Sequence, residues 1–369
     1  MMPLSPLIFE PIYKPRIWGG NRIFSYFGRP SAPPEPIGES WELVDLEEEQ
    51  SVVSVGPAKG KTLRTLIESW GRDLMGGVRL FEGRFPLLIK FLDARDTLSV
   101  QVHPSEAVAA RSGGAIRVKH EAWYVLAAEP GAVIYHGLEP GVDAASFREA
   151  MLTGRVDGVL RRVPVKQGEC YFLPSGTPHA LGAGILAAEV QTPSDVTYRA
   201  YDWGRVDPAT GQPRALHIDQ AIECINFDAP SPPPTQDRSH VASLWTAVTR
   251  LVEYPAFVIE QVRMVEGVEQ RIPYAEPVVW IVLEGEGQIL WEPSQTLQFG
   301  RGQVILLPAR LPEARVRITT ETRWLEVTVP VPSTLAGYER PAREQIPVAS
   351  PGGLVQINPL RRQEDIPEP

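Results

Sequence analysis

Gln101 and His103 stand two residues apart in SVQVHP. Successive side chains on a strand alternate faces, so these two share one. Glu121 follows in KHEAWYVL, a strand by composition, and His179 closes the strand-turn segment GECYFLPSGTPH. Two imidazoles and a carboxylate, with the Gln101 amide as an optional fourth donor, make a reasonable ligand set for Zn²⁺. Three protein ligands leave a coordination position open for water or substrate, as catalytic sites need. The same donors suit Mn²⁺, Co²⁺ or Fe²⁺, so donor chemistry alone does not choose the metal. A lone strand histidine is more often a packing residue. Against that, the chain has only six histidines, and two of them lie at proline-flanked strand ends.

Ser99 shares strand parity with Gln101 and His103, so it is expected to point the same way. The net charge is −9. An acidic chain that takes an anionic substrate must concentrate positive charge locally. Lys90 and Lys119, close in sequence to the candidate ligands, are expected to supply it. His120 alternates to the face opposite Glu121. Neither it nor His136 has an evident role, while His217 lies in helix-like sequence and His240 in linker sequence.

Positioning such ligands calls for many short elements. Proline, at 37 residues, is roughly double the usual ~5% share and disfavours long helices and central strands. Residues 38–56, LLIKFLDARDTLSVQVHP and VPVKQGECYFLPSGTPHALG read as strands and turns. So do FVIEQVRMV, PVVWIVLEGEGQILW, GQVILLPA and TRWLEVTVPV nearer the C-terminus. Helices are expected at 60–75, where Leu63, Leu66, Ile67 and Trp70 recur at helical steps, and at 143–155 with Asp143 as N-cap. The polar, proline-rich stretch 228–238 reads as a linker.

A short internal repeat organises the chain. GECYFLPSGTPH (168–179) aligns with GQVILLPARLPE (302–313), matching Gly168 with Gly302, Pro174 with Pro308, and Pro178 with Pro312. The position of His179 becomes Glu313, so the second copy has lost the chemical residue. Two domains are expected: a catalytic one over 1–230 with the small helical segments, and a degenerate one over 231–369.

The pattern G-x5-P-x-G-x2-H, carried by Gly168, Pro174, Gly176 and His179, resembles the second signature of the cupin barrel, although Ala183 stands where an asparagine is usual. The compact H-x-H…E of most cupins is replaced by Q-x-H, with its glutamate eighteen residues beyond His103. That departure, together with YKPRIWGG, IGESWEL, LLIKFLDARDTLSVQVHP, KHEAWYVL, LPSGTPHAL and SDVTYRAYDWGR in order, resembles the type I phosphomannose isomerase family in its short bacterial form. The resemblance spans nearly the whole chain. It implies a mainly β fold of two cupin-type jelly-roll barrels. It also implies one Zn²⁺ per chain on Gln101, His103, Glu121 and His179, and interconversion of mannose 6-phosphate and fructose 6-phosphate through an enediol. Arg199 matches the family's arginine at the site mouth, where a guanidinium would stabilise an enediolate or grip phosphate. Glu189 matches a glutamate at family spacing, as acid/base or hydroxyl-binding group. The general base stays open between Glu189 and a metal-bound hydroxide.

Two rivals keep the barrel: a non-catalytic sugar-binding bicupin, and a cupin enzyme with another substrate, such as a different sugar isomerase or an oxygenase. Retention of all four ligands argues against the first, and the missing H-x-H against an oxygenase. No Lys/Arg block points to nucleic acid, and no apolar run of ~18 residues points to a membrane span. The N-terminus does not read as a signal peptide. Cys170 and Cys224 are too few for a disulfide framework, which fits a reducing cytoplasm. Oligomeric state is not legible.

Overall fold

The computed structural model describes residues 2–30, 32–113, 116–207, 210–228, 238–243 and 245–331. The strand-rich pattern folds as expected into a mainly β structure. Its first half holds strands β1 (Leu7–Ile8), β2 (Ile12–Gly20), β3 (Ile37–Leu43), β4 (Leu88–Ala94), β5 (Val100–Val102) and β6 (Glu121–Ala128). It continues with β7 (Val133–Leu138), β8 (Leu160–Pro164), β9 (Cys170–Leu173), β10 (His179–Leu181), β11 (Ile185–Gln191) and β12 (Tyr198–Tyr201). Strands β2–β3–β4–β11–β6–β9 form one antiparallel sheet, and β12–β5–β10–β7–β8 a second. Their inner faces share a core in which Leu92, Trp123 and Val125 of the first sheet pack with Ile134 and Leu181 of the second. The candidate chemistry lies between these two sheets.

The second half holds β13 (Arg238–Ser243), β14 (Thr246–Tyr254), β15 (Phe257–Met264), β16 (Glu269–Arg271), β17 (Val278–Trp291), β18 (Gln295–Gly300), β19 (Val304–Leu307) and β20 (Arg315–Thr328). All of them join one nine-stranded sheet, to which β1 adds itself by pairing with β19. The hydrogen-bonded strand order leaves all three sheets open. Among the described residues the two closed barrels expected from the sequence are therefore not formed by strand pairing: facing open sheets build the first half, and a single sheet carried by the 14-residue strands β17 and β20 builds the second.

The helical segment at 60–75 forms as two helices, Leu63–Trp70 and Arg72–Met75, because Gly71 between them adopts φ +49°. Leu63, Leu66, Ile67 and Trp70 are the buried stripe of the first. Helix Ala144–Thr153 starts at Asp143, whose side chain accepts from the Ser146 amide while the Ser146 hydroxyl closes a capping box. His217 is the N-cap residue of helix Ile218–Cys224, and His240 falls within β13 instead of a linker. The linker stretch lies almost wholly outside the described residues, as do residues 332–369 of the expected second domain. Among the described residues no helix is long and apolar enough to cross a membrane.

The repeat is structural. In both copies a four-residue strand starts two residues after a glycine with positive φ, +90° at Gly168 and +83° at Gly302. The Gly168 amide donates to Val125 O and the Val125 amide to Glu169 O. The Gly302 amide donates to Val282 O and the Val282 amide to Gln303 O. Val125 and Val282 thus occupy equivalent places, which sets Val278 opposite Glu121 in the comparison. Glu313 is exposed and pairs with Arg271.

Candidate metal centre

Directly opposed residues of an antiparallel sheet share a face. Register therefore places Arg199 (β12), Gln101 (β5), His179 (β10) and His136 (β7) in one row on the second sheet. On the first sheet Trp41, Lys90, Glu189, Trp123 and Tyr171 form a row, and Glu121 lies two residues from Trp123 on the same face. These rows converge. His103 Nε2 is 3.0 Å from Glu121 Oε2, and His179 Nε2 is 3.0 Å from Glu121 Oε1, with all three side chains almost fully buried. One ligand atom from each lies within 4.8 Å of the others.

The donor chemistry fits a metal ion. Donors bound at about 2.0–2.1 Å in a tetrahedral site stand about 3.3 Å apart, close to these separations. His179 Nδ1 lies 2.8 Å from Thr177 O, so its proton is donated there and the Nε2 lone pair faces Glu121. The Nε2 atoms of His103 and His179 are buried with no hydrogen-bond partner among the described residues. Burial and the nearby Lys119 push His103 down to about 3, so its imidazole is neutral and able to ligate. Burial alone would raise Glu121, but Lys119 and the two imidazoles hold it well below the usual carboxylate range.

The turn before His179 explains the local sequence. Gly176 has φ +79°, and a Cβ there would sit 2.5 Å from Cys224 O, so only glycine fits. Its amide donates to His103 O at 3.0 Å. The neighbouring Ser175 amide donates to His120 Nδ1 at 3.1 Å. His120 is buried on the side away from Glu121, as alternation requires.

Neither lysine is a surface charge. Lys119 Nζ lies 2.9 Å from Glu121 Oε2, and Lys90 Nζ lies 3.2 Å from Glu189 Oε2 and 3.6 Å from Asp195. Burial would lower Lys90, but Glu189, Glu39 and Asp195 outweigh it and keep the ammonium charged. Glu189 also accepts from Trp123 Nε1 at 3.0 Å, yet burial leaves its carboxyl above the ordinary range despite Lys90. Ser99 is buried and accepts from Gln101 Nε2 at 3.4 Å. Arg199 does not pair with Asp202. Arg205 and Arg214 take that carboxylate, and Arg199 instead donates Nη1 to Ala215 O while its buried Nε has no partner among the described residues.

Glu39, Arg16 and Trp41 are additions to the site that the sequence reading missed. Glu39 accepts from Arg16 Nε and Trp41 Nε1, each at 2.7 Å, and the Trp41 ring lies under the Lys90 ammonium at 4.8 Å. The signal was the parity of Glu39 with Trp41 in IGESWEL. A surface cavity of about 960 Å³, lined in part by Arg72, Met75, Tyr274 and Glu276, shares no residue with this site.

A family model described as the phosphomannose isomerase type I catalytic domain matches residues 7–130. Mannose-6-phosphate isomerase ManA of Bacillus subtilis is 37% identical over 323 residues, 85% of this chain and 96% of that protein. A crystal structure of the Bacillus subtilis mannose 6-phosphate isomerase superposes with a TM-score of 0.79 at 31% identity, covering 88% of this chain and 100% of that one. A zinc-bound mannose 6-phosphate isomerase structure, at 18% identity, TM-score 0.66 and coverage of 88% and 99%, shares the fold.

Proposed function

We propose that this chain, which belongs to the type I phosphomannose isomerase family, interconverts mannose 6-phosphate and fructose 6-phosphate. The observation that carries the reading is the convergence of His103, Glu121 and His179 beside the buried pair Lys90 and Glu189. Zinc, one ion per chain, is the metal we infer, held by those three side chains with Gln101 as the fourth donor. A relative of the same fold is described as zinc-bound. When bound, the ion supplies Lewis acidity toward the sugar carbonyl and the charge that develops on it.

The chain's own groups handle the rest. Aldose and ketose differ by a proton lost from carbon 2, a proton gained at carbon 1, and a hydroxyl proton moved between the two oxygens. Glu189 is our candidate for moving the carbon-bound proton. Burial raises its affinity for a proton, and Lys90 and Trp123 fix its position. The Lys119 ammonium holds Glu121 ionised, so that residue stays a ligand and not an acid. Arg199, whose Nε has no partner among the described residues, is assigned to the enediolate or the phosphate, and Ser99 with Lys90 and Lys119 to binding the sugar phosphate.

We further read residues 1–230 as the catalytic cupin-type unit and residues 231–369 as a degenerate second one. The matched backbone bonds of Gly168 and Gly302 support this, as does the replacement of Glu121 and His179 by Val278 and Glu313. A sugar-phosphate enzyme of this kind belongs in the cytoplasm. Purified chain supplied with mannose 6-phosphate should produce fructose 6-phosphate. Tight sugar-phosphate binding with no product would favour the binding-protein reading.

A further inference from the structure

We propose that His120 is a positioning residue that clamps together the segments carrying the metal ligands, and that Tyr254 extends this clamp into the second half of the chain. The inference rests on the metal reading above. His120 immediately precedes Glu121 yet points to the other side of the chain, so it is not a donor. It is buried, with 6% of its surface exposed. Its backbone is pinned to Thr192: the His120 amide donates to Thr192 Oγ1 at 3.1 Å, and the Thr192 amide to His120 O at 3.0 Å.

The side chain bridges outward. Nδ1 accepts the Ser175 amide at 3.1 Å, at the start of the turn that ends in His179. That makes Nδ1 the unprotonated nitrogen, so Nε2 carries the hydrogen and donates toward Tyr254 Oη, 3.4 Å away. The two rings lie 4.7 Å apart, and Tyr254 also packs on Phe172 at 4.7 Å. Glu106, mostly exposed, is 3.8 Å from the same nitrogen. With the Gly176 amide on His103 O, the 174–179 turn is tied to both other ligand segments, and His120 is the only side chain in that pair of ties. Tyr254 ends β14, so the second half reaches the metal centre through this imidazole.

Residues that orient ligands typically change metal affinity by about 10–100-fold when removed. The test is zinc affinity of the full chain, measured by competition with a chromophoric chelator, alongside kcat and KM. His120→Ala is expected to weaken zinc by about 10–100-fold and to lower kcat more than it raises KM. His120→Asn, whose amide oxygen takes the place of Nδ1, should restore most of the zinc affinity, whereas His120→Gln should not. Tyr254→Phe keeps the ring and should weaken zinc by a smaller factor, which keeps the test alive if the alanine variant fails to fold. Unchanged zinc affinity in His120→Ala and Tyr254→Phe, or an asparagine variant as weak as alanine, would overturn the clamp while leaving the metal site standing. A wild-type chain that binds no zinc would instead overturn the metal reading, and the clamp with it.

Discussion

Lys90 and Glu189 are register partners on β4 and β11, and their charged ends lie 3.2 Å apart with both side chains about 95% buried. Breaking a buried pair by removing one member leaves an uncompensated charge and costs about 3 kcal/mol or more. Lys90→Met is therefore expected to destabilise by about 3 kcal/mol in chemical denaturation, and adding Glu189→Gln should recover more than half. Glu189→Gln alone should lower kcat at least about 100-fold if this carboxylate moves the carbon-bound proton. Near-normal turnover in that variant, with an isotope effect from deuterium at carbon 2, would exclude it.

Glu39 gives the fold an acid limb. Burial alone would raise its carboxyl, but Lys90 and Arg16 bring it down to about 2. A depressed folded value means the stabilisation is complete above the unfolded value near 4.5 and is lost as pH falls through 2. The shift of about 2.5 units corresponds to at most about 3 kcal/mol, shared with its two cationic partners. Denaturation between pH 5 and pH 2 should show this loss in the wild-type chain and a flatter slope in Glu39→Gln.

Gly176 and Gly56 have nearly equal φ, +79° and +80°, but a Cβ at Gly56 meets nothing within 4 Å. Gly56→Ala should cost about 1 kcal/mol from backbone strain alone. Gly176→Ala must also displace Cys224 O, and should cost about 3 kcal/mol and weaken zinc through the His179 turn. Equal costs for the two variants would show that the close approach at Gly176 is not rigid.

Arg199→Lys removes the guanidinium fork while keeping the charge. We expect kcat/KM to fall about 100-fold with thermal stability and zinc content unchanged. A loss confined to kcat would assign Arg199 to the enediolate, and a loss confined to KM would assign it to the phosphate.

Much of the site was legible because strand parity and turn chemistry are local. Gln101 and His103 share a face by alternation, and Gly168, Gly176 and Pro178 mark a turn whose geometry needs them. The Gly168–Gly302 repeat was readable because both strands end in the same way. What escaped the sequence is non-local. Nothing in IGESWEL says that β3 runs beside β4, so Glu39 and Trp41 could not be placed next to Lys90. Lys90 reads as local positive charge, but its buried carboxylate partner Glu189 comes from strand register; Lys119 finds Glu121 only two residues on. Arg199 lies three residues before Asp202, but that carboxylate is taken by Arg205 and Arg214, from 3 and 12 residues further on, a choice only the folded chain shows. Open sheets appeared where barrels were expected because closure depends on pairing between edge strands, which motif spacing does not encode.

The most direct test is isomerisation of mannose 6-phosphate measured with the metal content of the same sample, before chelation, after it, and after zinc is restored. The account predicts one zinc per chain, activity that disappears with the metal, and activity that returns in proportion to zinc added back. His179→Ala should neither hold the ion nor recover. Full turnover in a metal-free chain, or a stoichiometry of two, would contradict a single catalytic centre at His103, Glu121 and His179.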